Sequence, residues 1–209
     1  AAQHDAETIA LATAGNAGQA ASAYAANAGM DSETFIPTRA SFVNKAMINV
    51  HGGEMTVVEG RIGDAGAAYD DAIADHPEWH SVKTFVTPYR HEGKKTMLYE
   101  MVEQLNWEVP DHVVYPTGGG VGLVGMHKAA TELRELGLTD DLPAMWAAQS
   151  EGCAPIVKAF ESGADKHEPW EQPDTICGGI EIPDPGASPL ILDALEESGG
   201  GAVATPDKE

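Results

Sequence analysis

This sequence predicts an α/β protein built on two open, mainly parallel sheets, one in each of two sub-domains. Three observations carry that expectation. Short β-like runs alternate with helical stretches of about ten to fifteen residues, the spacing that crossover connections between parallel strands require. Glycine or proline stands at most of the junctions, where an element has to stop. The alternation is interrupted at Thr87-Pro88-Tyr89-Arg90 and then resumes, which places the seam between the sub-domains there.

Residues 8–12 read as the first strand and 16–27 as a helix of small residues closed by Gly29. A second strand, 33–36, stops at Pro37, and a helix over 41–50 ends at Gly52-Gly53. A third strand over 54–59, a helix over 64–75 and a fourth strand over 81–86 complete one open sheet. Beyond Pro88 the pattern predicts a helix over 93–104, a strand over 112–115, a helix over 123–136 ended by Gly137, and a strand over 144–149. Helices over 155–161 and 190–197 follow, the last before Gly199-Gly200-Gly201; 163–173 is the most loop-like stretch.

Composition narrows the partners. Thirty-three acidic against twelve basic residues give a formal net charge of -21, a field that repels nucleic acid and anionic membrane. Hydrophobic residues make up 43%, ordinary for a soluble protein, and no run approaches the ~18 apolar residues of a membrane span. Ala1-Ala2-Gln3-His4 is not a charged-then-apolar leader. Cys153 and Cys177 form neither a Cys-x-x-Cys pair nor a framework, so both are expected to be buried or inert thiols in a reduced, cytoplasmic setting. Acids scattered over a lysine-poor surface suggest adaptation to high salt, where screening relieves self-repulsion. On that hypothesis the melting temperature rises along a salt series; greatest stability in dilute buffer would sink it.

Two loops carry the chemistry. Tyr115-Pro-Thr-Gly-Gly-Gly-Val-Gly-Leu-Val-Gly125 joins a strand to a helix, and its consecutive glycines let several backbone N–H groups approach an anion at a helix N-terminus. The bland alternative is a tight turn. Gly120-Val-Gly122-Leu-Val-Gly125 also satisfies the dinucleotide fingerprint Gly-x-Gly-x-x-Gly, although that fingerprint is expected in a first βα unit. No Gly-Lys-Ser/Thr follows, which excludes a mononucleotide P-loop. The second loop is Thr13-Ala14-Gly15-Asn16-Ala17-Gly18, where Asn16 stands near the helix N-cap; capping explains it, and so does a ligand that uses its amide and the exposed N–H groups. Both loops lie at strand carboxyl ends, where ligands of open α/β sheets bind, so the sequence predicts that they face one cleft.

Read together with Pro88-Tyr-Arg-His-Glu-Gly-Lys-Lys-Thr96 and Gln149-Ser-Glu-Gly-Cys-Ala-Pro155, these motifs resemble, in the same order, those of the threonine synthases. These are pyridoxal-phosphate enzymes of the tryptophan synthase β-subunit fold type (fold type II). The resemblance spans about residues 8–205. It implies a smaller sub-domain, 1–88, carrying the Asn16 loop, and part of a larger cofactor-binding one, 89–209, with the cofactor cleft between them. It implies that the N–H groups of Gly118, Gly119, Gly120, Val121 and Gly122 hold the 5'-phosphate and that Asn16 bonds the pyridine 3-oxygen. It assigns Thr13, Ala14, Gly15 and Ala17 to the substrate α-carboxylate, and Arg90, Lys94 and Thr96 to the phosphate of O-phospho-L-homoserine. A salt-bridged helix start is the competing account of those last three, and a surface ion pair the expected role of Lys95.

The departures matter as well. Relatives carry the lysine that holds the cofactor's aldehyde upstream of this asparagine loop, whereas the first lysine here is Lys45; no catalytic residue is assignable, and the chain is expected to be an inactive fragment, truncated at both ends. Val121 replaces the Thr or Asn of many relatives. The implied reaction is conversion of O-phospho-L-homoserine and water to threonine and phosphate. Alternatives are a threonine dehydratase or another β-eliminating or β-replacing lyase, a dinucleotide module using 120–125, or a ligand-free acidic folding unit. The complete enzyme could be a homo-oligomer. The histidines show no metal-ligand spacing, so no metal is expected; Trp79, Trp107, Trp146 and Trp170 read as packing, and no Gly-x-Ser-x-Gly elbow is present.

Overall fold

The computed structural model describes residues 5–208; the stretch 1–4, read above for a leader, lies outside them. The chain gathers into two compact units, one reaching Thr87 and one starting at Pro88, and each is taken by itself.

The first unit is a four-stranded parallel sheet in the order β3-β2-β1-β4, formed by β1 (Thr8–Ala12), β2 (Asp31–Pro37), β3 (Glu54–Val58) and β4 (Trp79–Ser81). Helices α1 (Asn16–Asn27) and α2 (Phe42–Val50) pack on each other, while α3 (Ile62–Asp75) packs on β1, β2 and β3. Small residues set how close α1 comes: a Cβ at Gly18 would stand 2.8 Å from Thr13 Cγ2 and 3.0 Å from Ile48 Cδ1, and the buried Ser32 hydroxyl donates to Ser22 at 3.1 Å. Under α3, Ala10, Phe35, Ala65 and Tyr69 form the core, with Phe35 and Tyr69 edge to face at 5.9 Å. The strand order reverses direction at β1, so the carboxyl end of β1 is the topological switch point, and the Thr13 loop begins there.

The second unit is a three-stranded parallel sheet, β5-β6-β7, made of β5 (His112–Pro116), β6 (Ala144–Ser150) and β7 (Gly201–Thr205). Its helices are α4 (Tyr89–Lys94), α5 (Thr96–Gln104), α6 (Val121–Glu135), α7 (Pro155–Ser162) and α8 (Ser188–Glu197). Leu98, Leu123, Met126, Met145, Ile156, Ile191 and Leu195 are fully buried between these layers.

Several expectations are corrected. The fourth strand is not 81–86 but Trp79–Ser81: the Val-Thr-Val alternation of that stretch lies in turns around Phe85, at φ 60°, while Trp79 pairs with Thr8 and stacks on His76 at 4.1 Å. The helix expected from 93 begins at Tyr89, because Pro88 at φ -70° already leads into helical backbone, and it passes through Lys95 into α5. Strand β7 was not expected. The helix cap of α1 is Gly15, with Asn16 as its first residue. Cys153 is buried but Cys177 is exposed, and Trp107 is 57% exposed rather than packed. Among the described residues no helix is long and apolar enough to cross a membrane.

Candidate cofactor site

In the second unit the glycine loop is anchored by Thr117, which is fully buried. Its N–H donates to Ala148 O at 2.8 Å, its hydroxyl to Tyr115 O at 2.7 Å, and its carbonyl accepts from Gln149 Nε2 at 2.9 Å. Everything after Thr117 is different. Among the described residues the amides of Gly118, Gly119, Gly120, Val121 and Gly122 donate to no acceptor, and the first bond of α6 runs from Val124 N to Gly120 O at 3.0 Å. Five successive donors therefore stand at the positive end of a fifteen-residue helix. Gly120 takes φ 75°, the left-handed turn that lets neighbouring amides form an anion-binding concavity.

The glycines are also demanded by packing. A Cβ at Gly118 would lie 2.9 Å from Ile182 Cγ1 and 3.2 Å from Ile180 Cα; one at Gly120 would overlap Ile191, and one at Gly122 the Tyr115 hydroxyl. Burial raises the Tyr115 phenol above its ordinary value. These features fit a phosphate group: bare backbone donors, a helix N-terminus and, among the described residues, no carboxylate accepting from the loop.

Gly125 has another role. A Cβ there would come within 2.7 Å of His91 O and Lys94 Cβ, so its absence seats α4 against α6. Helix α4 carries Arg90, partly buried, whose guanidinium burial pulls down in pKa. Lys94 is exposed and pairs with no carboxylate among the described residues. The Thr96 hydroxyl donates to Gly93 O at 2.9 Å, closing the turn between α4 and α5. Lys95, by contrast, is fully engaged: Glu92 at 2.7 Å, Glu132 at 2.8 Å, with the Tyr99 hydroxyl donating to Glu132 at 2.9 Å. Lys128 also pairs with Glu92, and the two ammonium groups hold that carboxyl down to about 2. Lys95 is raised above its usual range by Glu132 and then Glu92.

In the first unit, Thr13 N donates to Phe35 O at 3.0 Å and Gly15 N to Thr13 Oγ1 at 3.2 Å, so those two amides are already used. The amides of Ala14, Asn16 and Ala17 have no acceptor among the described residues. Asn16 accepts a long 3.4 Å bond from Gln19, whose Nε2 also reaches Asn44 Oδ1. Asn44 Nδ2 donates to Ala14 O at 3.1 Å and thereby fixes the loop from helix α2.

Sequence reasoning missed the two side chains that hold these loops, Asn44 and Gln149. Gln149 is only 1% exposed; its Oε1 accepts from Ile156 N at 2.9 Å and Val157 N at 3.2 Å. Its place at the head of the motif Gln149-Ser-Glu-Gly-Cys-Ala-Pro155 was the available signal.

Fold and loop together define a class, the pyridoxal-phosphate dependent enzymes. The model of that family matches residues 1–209, and the chain belongs to it. Within the family it is similar to curated threonine synthases. The chain is 35% identical over 203 residues to the one from Methanosarcina acetivorans, covering 97% of this chain and 50% of that protein. It is 32% identical over 209 residues to that of Methanocaldococcus jannaschii, again 97% and 50%. The chain thus spans about half the length of these relatives. Maize serine racemase superposes with a TM-score of 0.81 at 17% identity, covering 99% of this chain and 59% of that one. The processed form of threonine deaminase isoform 2 from Solanum lycopersicum gives 0.77 at 17%, covering 98% and 56%. At such identities they speak for the fold alone. The family's cofactor is pyridoxal phosphate rather than a dinucleotide.

Proposed function

We propose that this chain supplies the cofactor-phosphate and substrate-phosphate contacts of an enzyme that converts O-phospho-L-homoserine and water to L-threonine and phosphate. The observation that carries the reading is the run of five acceptor-free amides from Gly118 to Gly122, beside a helix bearing Arg90 and Lys94; the threonine synthase relatives supply the reaction.

Bound there, pyridoxal phosphate supplies an electron sink for chemistry at the substrate's α- and β-carbons. The protein's part is positioning. Amides of Gly118, Gly119, Gly120, Val121 and Gly122 take the 5'-phosphate, and Asn16 donates to the ring 3-oxygen. Thr13, Ala14, Gly15 and Ala17 form the loop for the α-carboxylate, the open amides of Ala14 and Ala17 being its donors. Arg90 and Lys94 take the substrate phosphate; Thr96 joins them only by turning its hydroxyl away from Gly93. We assign no residue of this chain to the catalytic amine. The runner-up is a β-eliminating lyase such as a threonine dehydratase, which has no substrate phosphate for Arg90 and Lys94 to bind. The proposed setting is a high-salt cytoplasm, supported by the net charge of -21.

Titration with pyridoxal phosphate, followed by ligand fluorescence, tests the cofactor site. Saturable binding is expected, competed by inorganic phosphate, with phosphate-free pyridoxal weaker by about tenfold or more, the worth of lost charge-assisted hydrogen bonds. Binding of NAD in preference to pyridoxal phosphate would overturn the assignment.

A further inference from the structure

Between α7 and α8 the chain runs without helix or strand over residues 163–187. Unstructured connections longer than about 15 residues are uncommon in compact domains and usually have a job. This one is a strap held to the rest of the unit at several points, among them an ion pair of Glu168 with Lys158 at 3.2 Å and two polar clusters. At one, Asp174 N donates to Gly152 O at 3.0 Å, and the Asp207 carboxylate accepts from the Thr175 hydroxyl at 2.8 Å, the Ser150 hydroxyl at 2.8 Å and Ile176 N at 3.1 Å. At the other stands a polar string with no signature in the local sequence.

His167 is 4% exposed. Its Nδ1 lies 2.6 Å from Ser188 Oγ and its Nε2 2.8 Å from Asp184 Oδ1. The carboxylate can only accept, so Nε2 donates to it; in the neutral tautomer with that proton, Nδ1 accepts from the Ser188 hydroxyl. Ser188 Oγ in turn accepts from the His167 backbone N–H at 3.3 Å. In that tautomer every hydrogen-bonding group of His167 and the Ser188 hydroxyl has a partner. The trio has the membership of an acyl-transfer triad but not its access, because Ser188 is fully buried and its oxygen already receives a main-chain donor.

What the string joins is more telling. Two residues before Asp184 is Ile182, which with Ile180 stands against Gly118; one turn after Ser188 is Ile191, which stands against Gly120. His167 therefore ties together the two segments that touch two glycines of the loop. We propose that His167, held between Ser188 and Asp184, is a positioning residue that fixes the strap and the start of α8 and so sets the geometry of the phosphate-binding amides. The inference rests on the reading of Gly118 to Gly122 as the phosphate site.

The test is the dissociation constant of pyridoxal phosphate for the whole chain and its variants, measured at a temperature where circular dichroism shows each one folded. H167A is expected to bind about tenfold more weakly, the loss of a supporting hydrogen-bonded group, and D184A several-fold more weakly, while D184N, which keeps an acceptor oxygen, stays near the unaltered chain. A purely structural histidine would lower the melting temperature and leave the dissociation constant of the folded variants unchanged, and that result overturns the proposal. Should H167A not fold, D184A decides, since the Asp184 side chain is 69% exposed and its removal leaves the core intact. An unaltered chain that binds no pyridoxal phosphate overturns the phosphate reading and this inference with it; normal binding by the unaltered chain and by every folded variant overturns this inference alone.

Discussion

Gln149→Leu is expected to lose about 3 to 5 kcal/mol of stability, the summed cost of leaving two donors and one acceptor buried without partners. The amide of Gln149 does two jobs. Its oxygen takes Ile156 N and Val157 N, first-turn donors of α7 that Ala154 at the cap position cannot satisfy. Its nitrogen holds Thr117 O, the last fixed atom before the glycine loop. Leucine fills most of the volume and offers neither group, so the loss is electrostatic rather than a cavity effect. Urea unfolding followed by circular dichroism measures it. A loss below about 1 kcal/mol would show that water replaces the amide and that the site is less dry than its 1% exposure indicates. Weaker binding of pyridoxal phosphate should accompany the loss, because Thr117 orients the amides that follow.

The alternation of strand and helix was legible because parallel pairing forces each strand through a helical crossover, and the change of hydrophobic period marks each junction. Residues 8–12 and 16–27 were bounded correctly for that reason: a buried apolar run meets a glycine turn, and a small-residue helix meets Gly29. Strand β7 was hidden by its own glycines. Gly199-Gly200-Gly201 reads as a terminator, yet a Cβ at Gly200 would overlap Met145 O and one at Gly201 would stand 2.8 Å from the Trp146 ring. Those glycines mark close approach to β6, information that resides in the partner strand. Likewise β4 is set by pairing with β1, not by its own alternation.

The site divides along the same line. Backbone donors were legible, since glycine spacing at a strand–helix junction is a local property. Their supports were not: Gln149 reaches Thr117 across 32 residues, Asn44 reaches Ala14 across 30, and Ser188 reaches His167 across 21. No local pattern encodes such pairs, and polar residues that become buried look the same in a sequence as those that stay wet. Thr96 shows the converse, a donor assigned to a ligand that is occupied by its own helix turn.

Gly120→Ala should cost about 2 to 4 kcal/mol, part from placing an L-residue at positive φ and part from overpacking a rigid core. The two parts can be separated. Gly137, which follows the C-cap of α6, has φ 68° and nothing within 4 Å of an added methyl group, whereas at Gly120, with φ 75°, a methyl would overlap Ile191 Cδ1 and lie 2.5 Å from its Cγ1. Gly137→Ala therefore reports strain alone, about 1 kcal/mol, and the excess at Gly120 reports the clash with Ile191, which is fully buried. Binding separates the positions further. Gly137→Ala lies at the far end of the helix and should leave pyridoxal phosphate affinity unchanged. Gly120→Ala turns the amides of Val121 and Gly122 and should weaken binding by about tenfold or more, the value of a charge-assisted hydrogen bond. Equal affinities in the two variants would mean that the left-handed turn at Gly120 serves only to start the helix.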